Sequence, residues 1–77
     1  MGDQHPLIGL RVLEVGSRTI TPYIGKLFTD AGADVLKVES PEGDPFRAWS
    51  ASHATIPDGE DSAWWRFLNA GKRIATI

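Results

Sequence analysis

Seventy-seven residues, 42% of them hydrophobic and 23% charged, make one small water-soluble domain, which buries about 60 to 65% of the surface its unfolded chain exposes. A net charge of −2 provides no basic field for nucleic acid or anionic lipid. The absence of cysteine excludes disulfides, thiolate catalysis and zinc–thiolate sites.

No apolar run reaches membrane-spanning length, and the first residues lack the cationic and apolar regions of a signal peptide. A myristoylation start needs Ser or Thr where Pro6 stands. The expected compartment is the cytoplasm.

Along the chain, Leu10 to Val15 ("LRVLEV") reads as a strand, followed by a short loop. Thr21-Pro22 then opens a helix, with a capping hydroxyl before a proline at the first helical position. Ile24, Leu27, Phe28 and Ala31 fall on one stripe, which predicts the buried face, and Gly32 ends the helix in a left-handed turn. Asp34 to Glu39 is the second strand, too far along for a hairpin and well placed for a βαβ crossover.

Residues 40–61 are loop-like, with a one-turn helix around Phe46–Ser50 and Trp49 pinning the loop to the body. Asp61 or Ser62 caps a second helix whose apolar residues are Ala63, Trp64, Phe67 and Leu68. A third strand begins near Arg73, with Ile74 and Thr76 on one face and Arg73, Ala75 and Ile77 on the other. The fold class is α/β, a small, mostly parallel β-α-β-loop-α-β sheet. The apolar strand at Ile77 predicts further sequence to cover it.

Ligands of open α/β folds collect where strands end and helices begin. The first such loop, "VGSRTITPYIG", has Gly16 but no dinucleotide glycine fingerprint, so Glu39 at the tip of the second strand lacks the context of a ribose-binding acid. Thr19, Thr21 and Arg18 could hold a phosphate; equally, Thr21 caps a helix, Gly25 lets the helix approach a strand and Arg18 meets water. Lys72 and Arg73 are paired cations that could bind an anion or merely flank a strand. His5 and His53 have no acid or cysteine at metal-ligand spacing, and no serine sits in a nucleophile elbow.

Taken together, Pro6-Leu7, Gly9, Val12-Leu13-Glu14, Pro22, Gly32-Ala33-Asp34-Val35, Lys37-Val38-Glu39, Gly43-Asp44, Arg47, Asn69 and Lys72-Arg73 stand in an order and spacing that resembles the N-terminus of the family III CoA transferases. That group includes formyl-CoA transferase, carnitine CoA-transferase and the α-methylacyl-CoA racemases.

The resemblance implies that residues 1–77 begin the Rossmann-like large domain of a protein several hundred residues long, which forms an interlocked homodimer. It implies coenzyme A as the acyl carrier, with no metal, and a CoA thioester and a small carboxylic acid as partners. The transferases work through a mixed anhydride and an aspartyl-CoA thioester; the racemases exchange an α-proton with a His and Asp pair. Both sets of groups lie beyond residue 77, so the chain alone is expected to be inactive.

The same resemblance maps CoA contacts onto Thr19 and Ile20 in the first loop, onto Ser40 after the second strand, and onto Ile77. Ser40 stands where an arginine is common, and Thr21 replaces the glycine of the family's G-P pair. Arg18 is the candidate to replace the missing cation. Asp44 and Arg47 are expected to pair within their loop. A dinucleotide-binding enzyme fragment and a non-enzymatic interaction module using open sheet edges are the alternative readings.

Overall fold

The structure is a computed structural model that describes residues 5–16 and 20–77. Its elements are β1 (Arg11–Val15), α1 (Ile20–Asp30), β2 (Asp34–Glu39), a 3-10 helix (Pro45–Ala48), α2 (Ala63–Asn69) and β3 (Arg73–Thr76). The three strands form one parallel sheet in the order β1-β2-β3. Arg11 pairs with Asp34 and Val15 with Val38; Leu36 pairs with Arg73 and Glu39 with Thr76. This register places Ile74 and Thr76 beside Lys37 and Glu39, the alternation expected of the third strand.

Glycine ends α1 as its position predicts. Gly32 has φ of +102°, its amide donates to Thr29 O, and the amide of Ala33 donates to Phe28 O. These two bonds form a Schellman closure and satisfy carbonyls that the helix leaves open. At the other end α1 begins at Ile20, so Thr21 lies inside its first turn and the capping position falls outside the described residues. Ser62, not Asp61, caps α2: its Oγ accepts from the Trp65 amide at 3.0 Å. The same hydroxyl donates to Phe46 O at 2.7 Å, tying α2 to the 3-10 helix.

The helix faces depart from the predicted stripes. On α1, Ile24 and Leu27 are about half exposed, and the buried residues are Pro22 and Gly25. On α2, Trp65, Leu68 and Asn69 are buried, while Phe67 is exposed. The reason lies in the sheet below. Glu14, Val35, Lys37 and Glu39 are all buried on the helix side, so charged side chains occupy the layer that hydrophobic residues usually fill. Small residues let α1 settle onto that layer; larger apolar ones would hold it away.

Trp49 is also less enclosed than expected. It meets Phe46 edge-on at 5.6 Å and Trp64 at 6.0 Å, with 41% of its surface exposed. The opposite face of the sheet carries Leu13 and Val15, both largely exposed, in register with Leu36 and Val38. Four apolar side chains therefore lie on the open side, while Glu14, Lys37 and Glu39 lie on the covered one.

Candidate functional site

Where the strands end, β1 and β2 and the turn after β2 enclose a cleft of about 290 Å³. Val15, Val38 and Ile77 give it an apolar side; Gly16, Ser40, Gly43 and Pro45 form its rim, with Lys37, Glu39 and Asp44 beneath. The volume lies at the lower end of small-molecule sites, enough for one segment of a large ligand.

Beneath the rim is a four-charge cluster. Lys37 Nζ donates to Glu14 Oε2 at 3.0 Å and lies 3.0 Å from Asp44 Oδ2. Lys72 Nζ contacts Glu14 Oε1 at 2.6 Å, an ion pair rather than an aligned hydrogen bond. It also donates to Asn69 Oδ1 at 2.8 Å and to Pro22 O at 2.9 Å. The side chains of both lysines are fully buried, and those of Glu14 and Asp44 nearly so.

Two carboxylates and two ammonium groups cancel, which is how such charges persist out of water. Burial lowers the pKa of Lys72, against the opposing pull of Glu14. Lys72 is thus an interior strut, whereas Arg73 is exposed and pairs with Asp34 through two hydrogen bonds.

A second cluster holds the loop. Arg47 donates twice to Glu39 Oε1, at 2.9 and 3.1 Å, and pairs with Asp61 at 2.8 Å. Its guanidinium lies 3.8 Å from the Trp65 ring centre. Desolvation opposes its charge, but Asp61 and Glu39 outweigh that and raise its pKa above an already high value. Asp44 does not pair with Arg47 as expected. It turns toward Lys37 and caps the 3-10 helix by accepting from the Phe46 amide at 2.9 Å. The deeper lysine competes for the carboxylate, leaving Arg47 to Glu39 and Asp61.

These contacts settle the role of Glu39 in the described structure. Its carboxylate is 4% exposed and held by Arg47, so it is not presented to a ribose as a dinucleotide site requires. Among the mapped ligand contacts, Ser40 and Ile77 come together at the cleft, whereas Ile20 is exposed at the start of α1 and does not line it. Arg18 and Thr19 lie outside the described residues.

Gly16, from the first candidate loop, lines the cleft, whereas Lys37 and Asp44 were not legible in the sequence as parts of it. A lysine inside an apolar strand was the available signal for Lys37. Among the described residues, no group of acids and histidines could hold a metal, and no helix is long and apolar enough to cross a membrane.

The family model for CoA-transferase family III matches residues 7–77. This chain belongs to CoA-transferase family III. It is 44% identical over 71 residues to a succinate–glutarate CoA-transferase of Agrobacterium fabrum, covering 88% of this chain and 18% of the relative. It is 40% identical over 74 residues to a succinyl-CoA–D-citramalate CoA-transferase of Chloroflexus aurantiacus, covering 95% and 17%.

Among solved structures, a CaiB/BaiF family protein from Brucella suis superposes with a TM-score of 0.77 at 42% identity, covering 97% of this chain and 20% of that one. The Rv3272 protein of Mycobacterium tuberculosis gives 0.76 at 30% identity, covering 95% and 18%. The family III chain described here thus spans about a fifth of the length of these relatives, and its small parallel α/β sheet is theirs.

Proposed function

We propose that residues 1–77 are the N-terminal part of an enzyme that transfers CoA between small carboxylic acids, and that the cleft at the strand ends takes a segment of CoA. The observation that carries this reading is the coincidence of Ser40 and Ile77 at one cleft, in a chain matched by the family model over residues 7–77. The relatives' names favour transfer over racemisation, since they include a succinate–glutarate CoA-transferase and a succinyl-CoA–D-citramalate CoA-transferase.

The whole enzyme is proposed to transfer CoA through a covalent intermediate. An aspartate beyond residue 77 attacks the acyl thioester, forming a mixed anhydride and releasing the CoA thiolate. The thiolate attacks the aspartyl carbonyl, giving an aspartyl-CoA thioester and the free donor acid. The acceptor carboxylate then reverses the sequence and leaves as its CoA thioester. On this reading the enzyme is a cytoplasmic, interlocked homodimer with a Rossmann-like large domain, and the isolated 77 residues are inactive.

The part played by this chain is to bind and orient. Val15, Val38 and Ile77 offer apolar contact and exclude water, while the Ser40 hydroxyl and the Gly16 and Gly43 backbone border the opening. Lys37 is neutralised by Glu14 and Asp44, so among the described residues lining the cleft no cation is free for the CoA phosphates. Arg18, two residues after Gly16 in the sequence, is the proposed substitute.

Ser40→Arg supplies a guanidinium at the rim. Calorimetric titration of the full-length protein with CoA is expected to show about tenfold tighter binding, the size of one good charge-assisted contact. Unchanged affinity would remove Ser40 from the site. Full-length protein that moved no CoA from succinyl-CoA to any dicarboxylic acceptor would overturn the transferase reading.

A further inference from the structure

We propose that Lys37 is a positioning residue for ligand binding: from within the sheet it fixes the cleft wall formed by residues 40–44, without touching the ligand. This rests on the reading of the cleft as a CoA site. The Lys37 side chain is fully buried, so its ammonium meets no ligand even though the residue underlies the cleft. That ammonium joins two separate pieces of backbone. Glu14, at 3.0 Å, belongs to β1, and Asp44, also at 3.0 Å, belongs to the loop after β2.

Each end of this bridge is itself anchored. Lys72 contacts the other carboxylate oxygen of Glu14, and its further bond to Pro22 O links Glu14 to the first turn of α1. Asp44 accepts from the Phe46 amide, which fixes the start of the 3-10 helix.

The wall has few other restraints. The Gly43 amide donates to Ser40 O at 2.9 Å, a bond internal to the turn. Among the described residues, no side-chain hydrogen bond or ion pair involves Ser40, Pro41, Glu42 or Gly43. The position of Ser40 and Gly43 relative to Val15 and Gly16 across the cleft is therefore set by β2 on one side and by Asp44 on the other, with Arg47 closing the far end of the loop onto Glu39. A lysine suits this role, because its apolar stem crosses the covered layer and its three donors serve several acceptors at once. The cluster couples both sides of the opening: Glu14 adjoins Val15 at the end of β1, and Lys37 joins it to Asp44 in the loop after β2.

The test uses the full-length protein with CoA as the titrant. Lys37→Met keeps an unbranched apolar stem and removes the ammonium. Asp44→Asn keeps an acceptor for the Phe46 amide and removes the charge that binds Lys37. Both are expected to weaken CoA about tenfold while kcat at saturating thioester stays within about twofold, a loss of binding rather than of chemistry.

Amide exchange is expected to accelerate across residues 43–49 and to stay unchanged in β2. A role in stability alone would lower the folded fraction and leave the affinity of folded molecules intact. Folded variants with parental affinity and parental exchange overturn the proposal. If Lys37→Met does not fold, Asp44→Asn decides it by the same two measurements. If the parent takes up no CoA, the site reading fails, and the exchange rates alone decide: unaltered exchange at residues 43–49 in Asp44→Asn refutes the positioning role.

Discussion

Gly25 is where helix propensity and packing make opposite claims, so replacing it by alanine tests the fold directly. In an exposed helix the change would stabilise by about 1 kcal/mol, through lower backbone entropy in the unfolded chain. In this structure a Cβ at position 25 would overlap Glu14 Oε1 and stand 3.0 Å from Lys72 Nζ. Neither neighbour can swing away into water, because both side chains are buried. Either α1 lifts from the sheet, or Glu14 leaves its two lysines.

Disrupting a buried ion pair costs about 3 to 5 kcal/mol, so the net loss after the propensity gain is about 2 to 4 kcal/mol. Urea unfolding of the full-length protein, followed by tryptophan fluorescence, would read this as a lower midpoint at unchanged slope. A Gly25→Ala protein as stable as its parent would refute the close seating of α1 on Glu14.

Two further outcomes follow from the same interior. Because the pKa of Lys72 is lowered by burial, the unfolded chain binds more protons than the folded one between that depressed value and the ordinary 10.5. The cost of burying Lys72 is thus present in full below that depressed value and relieved as pH rises through the window. The stability of the parent relative to Lys72→Met should climb across it, and a flat or falling difference in unfolding midpoints would contradict the burial. Ser62→Ala removes the cap of α2 and the bond to Phe46 O together, for a loss of about 2 kcal/mol; a thermal midpoint equal to the parent's would count against that double role.

The strands were legible in the sequence because the first two are short runs closed by Gly16 and Pro41 and the third starts just after Gly71, and the bounds of β2 were read to the residue. Gly32 and Ser62 were legible because a left-handed turn and a helix cap each demand particular side chains. The buried faces of the helices were not. Periodicity assumes that the layer beneath a helix is apolar, and here it holds Glu14, Lys37 and Glu39. That inversion put Ile24 and Leu27 on the wrong side, whereas Gly25, expected to let the helix approach a strand, does so.

The Asp44–Arg47 pairing failed for a related reason: nearness in sequence favoured Arg47, while the partner that captured Asp44 came from within β2. The location of the cleft followed from topology and from the residues shared with the family, which brought Ser40 and Ile77 into view. Its underpinning by Lys37 needed three-dimensional contacts between residues 23 apart.

Those separations also govern how the molecule is made. The Lys37–Glu14 bond spans 23 residues, and the Lys72–Pro22 bond spans 50. With every strand parallel to its neighbour, no tight hairpin can start the sheet. Each long loop must lose entropy before its contacts repay it, which slows folding. On the ribosome, Glu14 emerges before both lysines; it finds Lys37 only after α1 has been made, and Lys72 only after α2 has followed. Until then its carboxylate remains in water, so desolvation and ion pairing come late, as the chain closes.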